Sequence, residues 1–271
     1  MRARAIYLLK AAARRALWAP YDLLHRHERR ARLIPPRGLS FVGGGDFEQT
    51  GQEFLGHFTE LGGLRPDDDV LDVGCGIGRM AIPLTGHLQG GSYAGFDVGR
   101  EMVRWCSRHI TPRHPEFEFS WAPVYNRKYN PFGDLSAAEF RFPYPDASFD
   151  FAFATSLFTH LVHDEAQHYL EETARVLRPG GTCFLTFFLL TAEAEREMAA
   201  GRAAFRFEHE IDGAATTDPR IPEEAVAYRL EEALAMLGNA GLDVRDPIHF
   251  GGWANAAGAP SFQDILTAKR G

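Results

Sequence analysis

The sequence is poor in cysteine: three residues in 271, Cys75, Cys106 and Cys183, with no Cys-x-x-Cys pair and no even set. A disulfide framework is therefore excluded, and the usage fits a reducing cytoplasm. Internal repeats and low-complexity tracts are missing too. The opening segment MRARAIYLLKAAARRALWAP lacks the unbroken apolar stretch of an export signal, because Lys10, Arg14 and Arg15 interrupt it, and it is far too polar to span a bilayer. Beyond that segment basic charge is in deficit. Residues 1–37 carry ten Lys and Arg against Asp22 and Glu28, a net of +8, which leaves 19 basic against 34 acidic residues in 38–271, a net of −15. A groove that tracks nucleic-acid phosphates needs the opposite sign, so the balance argues against nucleic acid and for a small-molecule substrate.

The charge split suggests two parts: a basic leader, 1–37, and a body, 38–271. The length and 45% hydrophobic content suit one large α/β core with appendages. At about 100° per residue, Ile6, Leu9, Ala13, Ala16 and Leu17 gather on one side of the leader. Arg4, Lys10, Arg14 and Arg15 spread over the other. Such a basic amphipathic helix either touches an acidic membrane surface or packs on the acidic body or a dimer partner. The narrow apolar sector, with Arg2 inside it, favours packing. Oligomeric state is left open.

Within the body, RLIPPRGLSFVGGGDFEQTG reads as an irregular connection, followed by a helix over 52–64. The apolar run VLDVGC at 70–75 is a buried parallel-type strand, and a helix over 78–88 follows. Strand and helix then alternate: 92–98, 100–110, 117–124, a long aromatic insert at 125–147, then 149–157, 164–177 and 181–190 after an RPGG turn. Residues 191–221 break the rhythm as a polar, lid-like insert. A helix over 222–241 and strands at 242–250 and 262–270 close the chain. The pattern is an α/β fold with a parallel sheet covered on both faces.

The loop after the first strand reads VLDVGCGIGR. In an open parallel sheet that loop is a ligand site by position. A dinucleotide site wants Gly-x-Gly-x-x-Gly, but here the spacing is Gly74-x-Gly76-x-Gly78, with Arg79 where the third glycine would stand. Asp97, 25 residues after Asp72, ends the second strand, where a carboxylate accepts ribose hydroxyls. VLDVGCGIGR, GFDVGREMV, FPYPDASFDFAFATSLFTHL and YLEETARVLRPGGTCFLTF, in that order, resemble the class I S-adenosylmethionine-dependent methyltransferases, over about residues 40–269. The resemblance implies a Rossmann-like, seven-stranded, mostly parallel sheet with a reversed last strand, and S-adenosylmethionine as cofactor. It assigns Asp72 and the backbone of Gly74, Cys75, Gly76 and Gly78 to the methionine moiety. Asp97, with Val98 beside it, goes to the ribose, and Met102 to the adenine face, where a plain core role is equally open. The family's acid after the third strand is absent; Ala122 and Pro123 offer only backbone or apolar contacts there.

Methyl transfer from a sulfonium is an in-line displacement, so catalysis is mostly positioning, with proton removal when the acceptor is a hydroxyl. The Asn/Asp-Pro-Pro-Tyr/Phe motif and the Pro-Cys nucleophile of base methyltransferases are both missing. His160, beyond the fourth strand, is the candidate general base; bracing its loop is the competing role. His160, His163 and His168 lack the helical His-Glu-x-x-His spacing of a zinc site, so no metal is expected. Tyr125 and Tyr129, with Asn126 and Asn130, suit a sugar or aromatic acceptor, and His209 and His249 are further candidates for substrate contact. The resulting expectation is O-methylation of a small-molecule or glycan-type acceptor. The alternatives are an N- or carboxylate methyltransferase needing no base, and a non-catalytic S-adenosylmethionine-binding module.

Overall fold

The structure, a computed structural model, describes residues 2–40 and 45–271. The glycine-rich part of the expected connection, 41–44, lies outside the described residues. Two compact units divide the chain, Met1–Leu135 and Ser136–Gly271.

The first unit holds α1 (Arg2–Leu24), α2 (Arg26–Ala31), α3 (Phe47–Glu60), β1 (Val70–Val73), α4 (Ala81–His87), β2 (Tyr93–Asp97), α5 (Arg100–His109) and β3 (Phe117–Trp121). α3 starts five residues before the expected helix because Asp46 caps it, its carboxylate accepting from the amides of Glu48 and Gln49. β1 is buried along its whole length, as its unbroken apolar run requires, and pairs in parallel with β2, which pairs in parallel with β3. α5 packs on β2 and β3 through Met102, Val103, Trp105 and Cys106.

The second unit holds β4 (Phe149–Ala154), α6 (His163–Val176), β5 (Leu177–Phe187), β6 (Leu189–Leu190), α7 (Ala192–Ala199), β7 (His209–Ile211), β8 (Ala214–Thr216), β9 (Val226–Arg229), α8 (Leu230–Asn239), β10 (Leu242–His249) and β11 (Asp264–Arg270). The main sheet has seven strands in the order β10-β11-β5-β4-β1-β2-β3. β11 runs antiparallel to both β5 and β10, the reversed last strand of a Rossmann-like methyltransferase sheet.

Two sequence expectations need correction. The helix expected over 222–241 is reduced to α8, because Val226, Ala227 and Tyr228 are fully buried in β9 and the Tyr228 hydroxyl donates to Leu161 O at 2.6 Å. Burial there overrides the helix propensity of the Glu- and Ala-rich segment. The RPGG stretch does not precede the strand but lies inside β5 as a bulge, where the register jumps from Phe149 opposite Leu177 to Phe151 opposite Thr182. The polar insert 191–221 carries α7, β7 and β8, and β6, β9, β8 and β7 form a second sheet. Phe188, Phe207 and Trp253 pack with Ala194, Ala215 and Ala227 into a core of their own. Asp264 ties it down, accepting from Leu189 N, Gly251 N and Trp253 Nε1 at 2.6–2.7 Å; burial pushes its carboxyl up to about 6 against the pull of those donors.

Candidate cofactor site

β1 carries a buried carboxylate. Asp72 is 1% exposed, and its Oδ2 accepts the Tyr93 hydroxyl at 2.7 Å. Its Oδ1 is buried and has no hydrogen-bond partner among the described residues. Burial pushes the carboxyl up to about 8; the Tyr93 bond pulls it down and the charge of Asp97 adds to the rise. A buried acceptor left bare asks for a donor from outside, and an ammonium group answers both the geometry and the charge.

Asp97 joins two loops. Its Oδ2 accepts Gly76 N at 2.9 Å and its Oδ1 accepts Gly99 N at 2.6 Å. Burial raises its pKa and the two amides oppose the rise. A carboxylate has about four acceptor sites, so it keeps capacity for a diol.

Gly74, Gly76 and Gly78 all take positive φ, +84°, +53° and +79°. A Cβ on Gly76 would meet only open space, whereas one on Gly78 would press on Ile110 Cδ1 at 2.9 Å and Cys106 Sγ at 3.1 Å. The loop amides expected to face a ligand are used within the first unit instead. Gly74 N and Cys75 N both donate to Phe96 O at 3.0 Å, and Gly78 N to Cys75 O at 2.9 Å. The loop therefore offers close approach over Gly76 rather than a row of N–H donors. Burial and the charges of Asp72 and Asp97 push the Cys75 thiol up, so it stays protonated. Beside Arg79, close packing comes from α3, where a Cβ on Gly51 would stand 2.7 Å from Arg79 O.

The adenine-side candidates divide. Met102 is buried beneath the Gly99 turn, where a Cβ on Gly99 would stand 2.1 Å from its Cε, so it contributes packing at this point. The amide of Ala122 is committed to Asp97 O at 3.0 Å, which leaves its carbonyl and methyl for the contact expected of it. Val98 O accepts Trp121 Nε1 at 3.0 Å, and Arg100 stacks on that indole at 5.0 Å. Tyr7, on α1, was not singled out by the sequence; burial and the nearby charges of Glu101 and Asp97 raise its phenol pKa. No local motif could have found it, because its neighbours are about 90 residues away.

Tyr125 is 48% exposed, and the loop after it closes on itself. Asn126 Oδ1 accepts Lys128 N and Tyr129 N, and Asn130, buried, donates to Val124 O, so both asparagines build the turn that holds Tyr129 rather than facing a ligand.

In the second unit, His160 Nδ1 lies 2.9 Å from Glu223 O. A carbonyl only accepts, so Nδ1 carries the proton and neutral His160 has its lone pair on Nε2. His163 bonds to Glu232 at 2.7 Å and His168 to Phe140 O at 3.0 Å, so the three histidines serve separate partners. For His163, burial pulls the pKa down but the bonds to Glu232 and Asp164 outweigh it and hold it raised. His209 is exposed on β7 opposite Thr216, and His249 ends β10 opposite Ile265.

Sequence reading missed a polar cluster at the carboxyl ends of β4 and β5. Ser156 N donates to Thr186 Oγ1 at 2.7 Å, and both hydroxyls donate to Gln263 Oε1, from Ser156 at 3.0 Å and from Thr186 at 2.7 Å. Ser156 holds φ +56°, an uncommon conformation for a non-glycine residue. The available signal was Thr186, a lone hydroxyl in the run FLTFFLL.

Residues 71–185 match the family model described as Methyltransferase domain. Over residues 71–185 the chain carries a methyltransferase domain. The cofactor of that domain is S-adenosylmethionine, and Asp72 Oδ1 with Asp97 fits it. The chain is similar to 27-O-demethylrifamycin SV methyltransferase of Amycolatopsis mediterranei, 31% identical over 146 residues, 51% of this chain and 48% of that protein. It thus spans about half the length of that relative. Among solved structures, the PH0226 protein of Pyrococcus horikoshii superposes with a TM-score of 0.57 at 13% identity, covering 86% of this chain and 95% of that one. An S-adenosylmethionine-dependent methyltransferase of Methanosarcina mazei gives 0.51 at 21% identity, covering 76% and 94%. At such identities these two speak for the methyltransferase fold alone.

Proposed function

We propose that the protein is an S-adenosylmethionine-dependent methyltransferase that methylates a hydroxyl oxygen of a small-molecule or glycan-type acceptor. The observation that carries the reading is the pair of acidic groups at the ends of β1 and β2: Asp72 with a bare buried Oδ1, and Asp97 bridging Gly76 and Gly99. S-adenosylmethionine, when bound, supplies the methyl group. Asp72 accepts from its ammonium, Asp97 from its ribose hydroxyls, and Gly76 gives close approach.

His160 holds its proton on Nδ1 against Glu223 O and takes the acceptor's hydroxyl proton on Nε2. Ser156, Thr186 and Gln263 orient the acceptor's polar groups. Tyr125, Tyr129, His209 and His249 are the proposed outer contacts. The name of the rifamycin relative, which specifies an oxygen position, supports an oxygen acceptor. Three buried free thiols, Cys75, Cys106 and Cys183, support a cytoplasmic location.

The test is incubation of the purified chain with S-adenosylmethionine and a panel of hydroxylated, amine and carboxylate acceptors, with S-adenosylhomocysteine read by mass spectrometry. Turnover confined to hydroxylated acceptors is expected. Turnover confined to amines or carboxylates moves the reading to N- or carboxylate methylation, and binding without turnover on any acceptor moves it to a cofactor-binding module.

A further inference from the structure

α1 is mounted the wrong way round for a helix packed by its apolar side. Its polar and aromatic side faces the rest of the first unit. Arg4 Nε donates to Pro131 O at 2.9 Å and lies over Phe132 at 5.3 Å; Arg14 Nε donates to Gly38 O at 2.9 Å; Arg15 pairs with Glu101. Tyr7 meets Phe132 edge-on, and Arg37 stacks on Tyr21 at 4.2 Å. The half-buried residues, 7, 11, 14, 18, 21 and 22, form one stripe at helical spacing; the remaining positions from 4 to 24 are exposed, Arg4 and Arg15 reaching their partners from the edges of that stripe.

The outward side is apolar. Ile6, Leu8, Leu9, Leu17, Leu23 and Leu24 are 50–79% exposed, with alanines between them. At about 1.5 Å per residue the helix is roughly 34 Å long, so the apolar strip runs some 30 Å. A monomer in water rarely leaves such a contiguous strip bare. Inward-facing arginines with specific partners fix this orientation, so the exposure follows from how the helix is anchored.

We infer that the outward face of α1 docks in the surface of an anionic lipid bilayer, lying in the interface with its leucines among the acyl chains. Charge selects this occupant. Lys10 is exposed beside the strip, and Arg26 and Arg30, exposed on α2, continue the basic run. The leader's net of +8 matches anionic headgroups, whereas pairing of two copies through α1 would bring two such leaders together. The acidic body, net −15, is repelled by the same membrane, so contact is confined to this face. No helix of the described residues is long and apolar enough to cross a membrane.

The experiment is co-sedimentation of the full chain with phosphatidylcholine vesicles made with and without phosphatidylglycerol, compared with Leu9→Glu/Leu17→Glu. Both substituted positions are exposed, and the thermal midpoint and S-adenosylmethionine titration serve as controls that the variant is folded. Binding to the anionic vesicles is expected, weakened roughly tenfold or more by the double substitution and by omitting the anionic lipid. The inference is overturned if the unmodified chain stays in the supernatant, or if the variant sediments equally well. Light scattering supplies the remaining outcome: a lipid-free dimer that the double substitution dissociates assigns the face to a second copy and overturns the bilayer.

Discussion

The Tyr93 hydroxyl reaches from β2 to Asp72 on β1 and donates to Oδ2 at 2.7 Å, while Oδ1 of the same carboxylate has no partner among the described residues. With its pKa raised to about 8, Asp72 keeps a proton in the folded chain that the unfolded chain has released. Its contribution to stability is therefore fully present below the unfolded value, near pH 4, and falls as pH rises toward 8. Asp72→Asn should flatten that fall, read as thermal midpoints at pH 5 and pH 8. An ammonium against Oδ1 favours the ionised form, so affinity for S-adenosylmethionine should rise with pH up to about 8 and lose that slope in the variant.

Gly78 and Gly63 both hold positive φ, +79° and +69°, but only Gly78 faces neighbours that a Cβ would strike. Gly63→Ala should cost about 1–2 kcal/mol for the left-handed backbone alone. Gly78→Ala should cost about 1–3 kcal/mol more, from crowding against Ile110 and Cys106. Urea unfolding of the two variants side by side measures the difference.

Asp264 satisfies three buried donors around Trp253. Asp264→Ala leaves Leu189 N, Gly251 N and the indole without that acceptor and should destabilise by about 3 kcal/mol or more. Near-ultraviolet circular dichroism, which reports tryptophan packing, should lose signal before far-ultraviolet helicity does.

His160→Gln keeps a side chain able to donate toward Glu223 O but removes a basic nitrogen. If an oxygen acceptor is deprotonated there, kcat should fall about 10²- to 10⁴-fold with the cofactor affinity unchanged, and the acid limb of the pH–rate profile should disappear. An unchanged rate assigns His160 to bracing the loop.

Legibility followed local chemistry. The alternation of strands and helices was readable because apolar runs and turn residues are local signals, whereas the reversed β11 was expected only from the family resemblance. Asp97 was readable because it ends β2 before a glycine turn, and Asp72, one residue short of the end of β1, through the motif that carries the family resemblance. β9 was hidden because Val226–Tyr228 are strand only by virtue of burial between β6 and β8. The orientation of α1 was hidden for a related reason: amphipathicity tells which residues share a side, but the partners Glu101, Pro131 and Phe132 that decide which side is buried lie far along the chain. The uses of the Ala122 and Gly74 amides depend on register between strands, which no single segment reveals.

Calorimetric titration of S-adenosylmethionine into the purified full chain, and into Asp97→Ala, tests the cofactor site most directly. Saturable one-to-one binding is expected, weakened roughly a hundredfold in the variant as the acceptor of Gly76 N, Gly99 N and the ribose is lost. No binding by the unmodified chain, or equal binding by both, would contradict the site.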